Sequence, residues 1–370
     1  MVLGSSSSSR STAFRDARAK LGGKCHLLRP LGLEQRGARS RASVARVSPP
    51  TMVSSPSTPF AKPMSREIMG HKKKVHSVAW NSVGRKLASG SVDQSARVFD
   101  VEHGVQAGKE IELKGHSDSV DQVSWDPTAV DRLATISADK SLRLWDIRAG
   151  SRCVANVAMS GENINVNWHP DGTCLAVGNR DDVVSFVDAR THKVTRTEKY
   201  PYEVNEIAWD KSGDVFYLTT GLGTVEVLAY PELTHMHTIR AHTAGLYCMS
   251  FDPSRPRVAL GSADALVSLW DLDEFTCLRT FSRLSWPVRT VSFSHDGRFL
   301  ASASEDLCVD VADAEDGTCA YRIPTRAAMN SVRWSPTEYL LAYAGDDEKG
   351  GEGGRSREGC IRIWGAPGRD

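Results

Sequence analysis

The stretch GHSDSVDQVSWDPTAVDRLATISADKSLRLWDIR (115–148) decides the fold. It contains three short runs of alternating apolar residues: SVDQVSW ending at Trp125, LATIS (133–137) and LRLWD (142–146). Polar turns separate them. Alternation of period two over five to seven residues reads as a β-strand with one buried face, and the runs are too short and too closely spaced for helices. Moving outward, the same unit recurs. Segments closing on an aromatic stand at Trp80, Trp125, Trp168, Trp209, Phe251, Phe293 and Trp334, at spacings of 45, 43, 41, 42, 42 and 41 residues.

After each aromatic comes a polar turn such as NSVG, HPDG or SHDG, then a second strand such as LASGS (87–91), LAVGN (175–179) or LASAS (300–304). A third strand follows: ARVFD (96–100), VSFVD (184–188), VEVLA (225–229), VSLWD (267–271), VDVAD (309–313) or IRIWG (361–365). Adding one strand before the next repeat gives a four-stranded antiparallel blade, and a period near 42 is that of a β-propeller. The repeats fall at about 65–103, 111–150, 154–192, 197–233, 236–275, 278–318 and 321–366. The seventh stops at its third strand. Ser65-Arg66-Glu67-Ile68-Met69 has no blade of its own, so it is expected to pair with 361–364 and close the ring, leaving no open edge.

Gly70-His71, Gly115-His116, Trp145-Asp146 and Trp270-Asp271 resemble the Gly-His and Trp-Asp pairs of WD repeats. The chain therefore reads as all-β, a seven-bladed WD-repeat β-propeller with a disordered basic N-terminal tail. The resemblance implies a hydrogen-bonded network inside some blades: His116, Asp139 and Trp145; His242, Asp264 and Trp270; and His71 with Asp93, where Phe99 replaces the tryptophan. Repeats three and six keep only Asp181 and Asp306, and repeat four, with TTGLG (219–223), lacks the motif.

The chain has 370 residues, 40% of them hydrophobic and 25% charged, and a net charge of +1. No run approaches the roughly 18–20 apolar residues of a membrane helix, so no membrane partner is expected. The charge is uneven. Residues 1–64 hold eleven Lys/Arg and two acids, leaving 35 basic and 43 acidic residues in 65–370, a net of −8. An acidic body is a poor general ligand for phosphates, so contact with RNA is expected to be mostly indirect. The tail, with five serines at 5–9 and a Pro/Ser stretch, does not build a core. Its Arg-rich, acid-poor composition leaves three readings open: a basic extension, a misplaced start with Met52 or Met64 as alternatives, or an organellar transit peptide.

Eight scattered cysteines (25, 153, 174, 248, 277, 308, 319 and 360) form no C-x-x-C pair. Free thiols, no metal, no cofactor and a nuclear or cytosolic location are expected. Asp93, Asp139, Asp181, Asp264 and Asp306 recur at one position of the repeat and read as turn formers, with no catalytic residue among them. Serine elbow, phosphate loop and H-E-x-x-H are all missing. His235 and His237 alternate on a strand, without a third ligand nearby.

Candidate contacts lie where each innermost strand begins. Alternation turns His76, Asp121, Asn205, Tyr247, Arg289 and Asn330 out of the core around one mouth of the channel, with Lys74, Ser119, Glu162 and Glu203 two places earlier. These residues differ between repeats, as a partner-binding face would. Trp286 adds an exposed-type aromatic of the kind that anchors interfaces, or else it packs in place of the missing loop histidine. The glycine-rich, charged segment DDEKGGEGGRSREG (346–359) is expected to loop from the same face.

Several longer stretches narrow the family. GHSDSVDQVSW (115–125), GENINVNWHPDG (161–172), AVGNRDDVVSFVDARTH (176–192), YEVNEIAW (202–209), GSADALVSLWDLDE (261–274) and FSRLSWPVRTVSFSHDGRFLASASED (281–306) resemble the WD-repeat family that supplies the third subunit of the THO complex. The likeness covers about 65–370. It implies a nuclear, non-enzymatic scaffold of the transcription–export assembly, in contact with other THO subunits and indirectly with a DEAD-box RNA helicase and an RNA export adaptor. Two alternatives stay open. Trp145-Asp146-x-Arg148 also resembles the box by which some propellers dock on cullin-RING ligase adaptors, and an acidic channel mouth at Asp121 and Glu162 would suit a chromatin reader.

Overall fold

Seven sheets follow one another along the chain in a computed structural model that describes residues 59–60, 62–346 and 359–365. Their innermost strands are Val75–Trp80, Val120–Trp125, Asn163–Trp168, Val204–Trp209, Leu246–Phe251, Thr290–Phe293 and Met329–Trp334. Within each blade the strands pair antiparallel, in chain order except in blade 7, and the third strands fall within two residues of the expected runs. Blade 1 carries one extra two-residue ladder, Val101–Glu102 against Val105–Gln106. The one helical element among the described residues is a short 3-10 turn, Ile147–Ala149.

The ring closes as expected. Met64–Met69 pairs antiparallel with Cys360–Gly365, from Met64 opposite Gly365 to Met69 opposite Cys360, and becomes the outer strand of blade 7. Ile68 is buried there beside Ile361 and Ile363.

The folded body begins earlier than the composition suggests. Phe60, placed in the tail by its Pro/Ser surroundings, is 3% exposed and packs on Phe299, Trp334, Tyr339 and Trp364 at ring-centroid distances of 4.9–6.0 Å. A lone phenylalanine has no periodicity to betray it. Residues 1–58 and 61 of the expected tail and residues 347–358 of the charged loop lie outside the described residues.

Three of the period-setting tryptophans share a task. The indole N–H of Trp80 donates to the Arg333 carbonyl (3.0 Å), that of Trp125 to Ala79 (2.9 Å) and that of Trp168 to Ser124 (3.2 Å), each a carbonyl of the preceding blade's innermost strand. A buried N–H is costly unless paired, so these bonds fix how blades pack as well as filling space. Side chains at the third place of the innermost strand, and Thr290 at the first place in blade 6, do the same for the backbone. Ser77 Oγ accepts the Val123 N–H (3.0 Å), Gln122 that of Val166, Glu206 that of Met249 (3.0 Å), Thr290 that of Val332 (3.2 Å) and Ser331 that of Val78 (3.1 Å).

Repeat four keeps its turn without the motif. Gln94, Lys140, Asp182 and Ala265 hold the last turn position of four other blades at positive φ, and in blade 4 Gly223 takes it at +80°, where a Cβ would stand 2.3 Å from the His242 carbonyl oxygen. Only glycine fits that place.

Candidate partner-binding face

Three blades contain the expected network, extended by a hydroxyl. In blade 2 the Trp145 indole N–H donates to Thr135 Oγ1 (2.9 Å), Thr135 lies 2.7 Å from His116 Nε2, and His116 Nδ1 lies 2.9 Å from Asp139. The Asp139 carboxylate can only accept, so the imidazole proton sits on Nδ1 facing it, and Nε2 accepts the Thr135 hydroxyl. Burial holds His116 below its ordinary value, consistent with a neutral ring. Burial pushes the Asp139 carboxyl up, but hydrogen bonds from Ser141, the Ser117 N–H and His116 outweigh it and hold it down at about 2.

Blade 5 builds the same chain from another strand. Trp270 donates to Ser268 Oγ (2.9 Å), Ser268 lies 2.7 Å from His242 Nε2, and His242 Nδ1 lies 2.8 Å from Asp264. The hydroxyl has moved from the second strand, where Leu260 now stands, to the third. In blade 1 Ser89 sits 2.7 Å from His71 Nε2 and Asp93 3.0 Å from Nδ1; the chain ends there because Phe99 offers no N–H. These hydroxyls were missed in the sequence, since a Ser or Thr in an alternating strand carries no mark of its partner. Asp306, with no loop histidine, instead accepts the backbone N–H groups of Ser285 (2.7 Å) and Trp286 (3.2 Å). The aspartates thus organise turns and loops.

The structure brings the six mouth residues together. His76, Asp121, Asn205, Tyr247, Arg289 and Asn330 all line one cavity of about 190 Å³ on the axis, and Ile164 fills the corresponding place in blade 3. Arg289 bonds Glu305 (2.7 Å) and lies 5.7 Å from the Tyr247 ring centroid. Asn330 donates to Asp346 (2.9 Å), which also holds Lys74 at 2.5 Å, so the first residue of the charged segment lies on this face. Burial raises the Asp121 carboxyl and lowers the His76 imidazole; each lies in the other's field. Deeper in the channel burial pushes the Glu206 carboxyl up, opposed by Arg333 and the Met249 N–H.

Trp286 stands apart. Its side chain is 54% exposed and lies outside the residues lining the cavity, so it does not pack in place of a loop histidine; only its backbone takes part in the blade. Leu307, the residue after Asp306, is also exposed. Trp145 is fully buried, while Arg148 beside it is clamped to Asp146 through Nε (2.9 Å) and Nη2 (2.6 Å).

Among the described residues no group of three or more His, Cys, Asp or Glu could hold a metal. His235 bonds Thr238 (2.8 Å), whereas His237 stacks on Phe275 at 4.3 Å. The seven described cysteines are free thiols. No helix there is long and apolar enough to cross a membrane.

Comparison with known proteins agrees with this architecture. The family model described as the THOC3 beta-propeller domain matches residues 71–344. THO complex subunit 3 of Arabidopsis thaliana is 58% identical over 308 residues, 83% of this chain and 97% of that protein. The WD repeat-containing protein AAC3 of Dictyostelium discoideum is 34% identical over 83% of this chain and 68% of its own length. The Poly(A)+ RNA export protein of Schizosaccharomyces pombe is 26% identical over 65% of this chain and 71% of its own. With the propeller, its closing strand and a match through nearly the whole of the plant protein, the chain belongs to the THO complex subunit 3 family of WD-repeat propellers.

Proposed function

We propose that this chain is a non-enzymatic scaffold subunit of the THO part of the transcription–export complex, coupling transcription to mRNA packaging, processing and nuclear export through protein contacts. The observation that carries the reading is 58% identity across 97% of the plant THO complex subunit 3. Its place of work is the nucleus. Its direct partners are other THO subunits, held on the channel-mouth face and around Trp286; the DEAD-box RNA helicase, the RNA export adaptor and RNA are reached through them. The negative charge of the body supports this division, since phosphates are drawn to Lys/Arg surfaces. Affinity purification from nuclear extract with mass spectrometry tests it. Recovery of the large THO subunits is expected, and their absence from a well-expressed bait contradicts the reading.

A second reading draws on Arg148, whose side chain is 75% exposed and presented by its clamp to Asp146. Docking on a cullin-RING adaptor through it predicts adaptor recovery that Arg148→Ala abolishes. Capture of THO subunits that is unaffected by this change decides for the scaffold.

A further inference from the structure

Blade 6 breaks the pattern at the loop leading into its innermost strand. Blades 1, 2 and 5 place a histidine four residues before the first buried residue of that strand, as His71 before Val75; blade 6 places Leu284 before Val288, and both pack in the core. Ser285 and Trp286 between them stand on the surface. The N–H groups of Ser285 (2.7 Å) and Trp286 (3.2 Å) bond Asp306, that of Val288 the Ser262 carbonyl (2.9 Å) and that of Arg289 the Ala303 carbonyl (2.9 Å), so the loop is fixed along its length. Trp286 is the one exposed tryptophan of nine, and Leu307, next to Asp306, is 61% exposed. An indole held out on a bonded loop loses little freedom when a partner covers it, and tryptophan is among the residues that anchor interfaces.

Charge supplies the independent observation. The three segments that form this surface, 282–289, 304–307 and 322–328, hold four arginines and two acids, in a body of net −8. They are tied together: the Thr325 N–H bonds the Leu307 carbonyl (3.0 Å), and Arg322 Nη2 donates to the Arg283 carbonyl (3.4 Å). Arg283 is spent on the buried Asp310, and Arg289 on Glu305. Asp306 already accepts the Ser304 hydroxyl (2.7 Å) besides the two loop N–H groups. Arg322 differs. Among the described residues no carboxylate lies within ion-pair reach of it, and its Nε donates to Cys308 Sγ (3.1 Å), a thiol that burial pushes up and so keeps neutral. An exposed guanidinium oriented by two bonds but not neutralised is a ready partner for a carboxylate.

We propose that this surface of blade 6 binds an acidic, apolar segment of a partner protein, with an aliphatic or aromatic side chain covering Trp286 and Leu307 and a neighbouring carboxylate on Arg322. The inference rests on reading the Trp286 rim as partner-binding and names the chemistry of what it holds. A nucleic acid fits less well. Its phosphates recur at every nucleotide and would meet Glu305, Asp306 and the acidic body, whereas a peptide brings its carboxylate only where Arg322 stands and gives Leu307 an apolar neighbour.

The test uses the full chain labelled with 5-fluorotryptophan, the Trp286 resonance being assigned through Trp286→Phe. The probes are the capped peptide Gly-Asp-Leu-Phe-Asp-Gly, its counterparts Gly-Asn-Leu-Phe-Asn-Gly and Gly-Asp-Ser-Ser-Asp-Gly, and a uridine hexanucleotide. The first peptide should move the Trp286 fluorine signal saturably. The asparagine peptide should bind about tenfold more weakly, as loss of a charged hydrogen bond does, and the serine peptide should leave the signal still. Arg322→Gln should bring the acidic peptide down to the affinity of the asparagine one, while the comparison of peptides on the wild-type chain stands whatever that variant does to the fold. An unmoved Trp286 signal, or equal binding of the asparagine or serine peptide, overturns the proposal. A preference for carboxylate that survives in folded Arg322→Gln overturns the role of Arg322, and tighter binding of the hexanucleotide overturns the choice of a protein segment. Capture of large THO subunits by the wild-type chain, scored separately, tests the scaffold reading, so the two can fail independently.

Discussion

Replacing Phe60 by alanine should cost the propeller about 3–5 kcal/mol, the range for deleting a fully buried phenylalanine. The figure belongs at the upper end of ordinary substitutions because the ring fills a space walled by four aromatics: Phe299 at 5.0 Å edge-on, Trp364 at 4.9 Å, Tyr339 at 5.9 Å and Trp334 at 6.0 Å. Those rings are held by blades 6 and 7 and cannot collapse into the gap without breaking the strands that carry them. Phe60 also precedes the closing strand by four residues, so its loss loosens the seam where the two ends of the propeller body meet. In urea titration followed by tryptophan fluorescence, a slope on the order of 3 kcal/mol per M makes the expected fall in midpoint about 1 M or more. Trp286→Ala, made on an exposed side chain, serves as the control and should leave the midpoint unchanged. A fall of less than about 0.3 M for Phe60→Ala, worth under 1 kcal/mol on that slope, refutes the argument that the body begins at this residue.

Other outcomes follow from the same contacts. Arg289→Glu combined with Trp286→Ala should reduce capture of THO subunits while the thermal melt stays put, since both side chains are exposed; unfolding would place them in the core. Thr135→Val removes the hydroxyl joining Trp145 to His116 and leaves the buried indole N–H without an acceptor, so a loss of about 1–3 kcal/mol is expected in denaturant melts, and wild-type stability would remove the network's claim to hold the blade. Acid should weaken blade 2 in a defined window. The Asp139 carboxyl is depressed from 3.8 to about 2 in the folded state, so its contribution is present above pH 3.8 and lost as pH falls through about 2; Asp139→Asn should flatten that part of the stability profile, and an unchanged profile contradicts the assignment. Deleting residues 64–69 exposes the edge of Cys360–Gly365 and should destabilise the whole ring, with unaltered melting refuting closure.

How far the sequence could be read follows from which physics each feature obeys. Blades repeat, so a strand pattern returning near every 42 residues announced the ring, and the orphan segment before Gly70 announced its closure. Histidine and aspartate of the blade network were legible because they sit at fixed offsets in turns. Their hydroxyl partners were not: Thr135 lies on a second strand and Ser268 on a third, and either position reads simply as one more alternating residue. Phe60 escaped because composition averages over neighbours, whereas burial depends on where the chain runs in space. Of the mouth residues, alternation alone placed six on the axis, but it gave no sign that Glu206 lies below them beside Arg333. Trp286 needed coordinates to decide between packing and presentation.

The most direct measurement is a density map of the chain reconstituted with purified THO subunits. The account predicts a ring of seven sectors seated in the assembly, with the channel-mouth face or the Trp286 rim against another subunit. A chain that elutes alone from the mixture, or a ring of six or eight sectors, contradicts it.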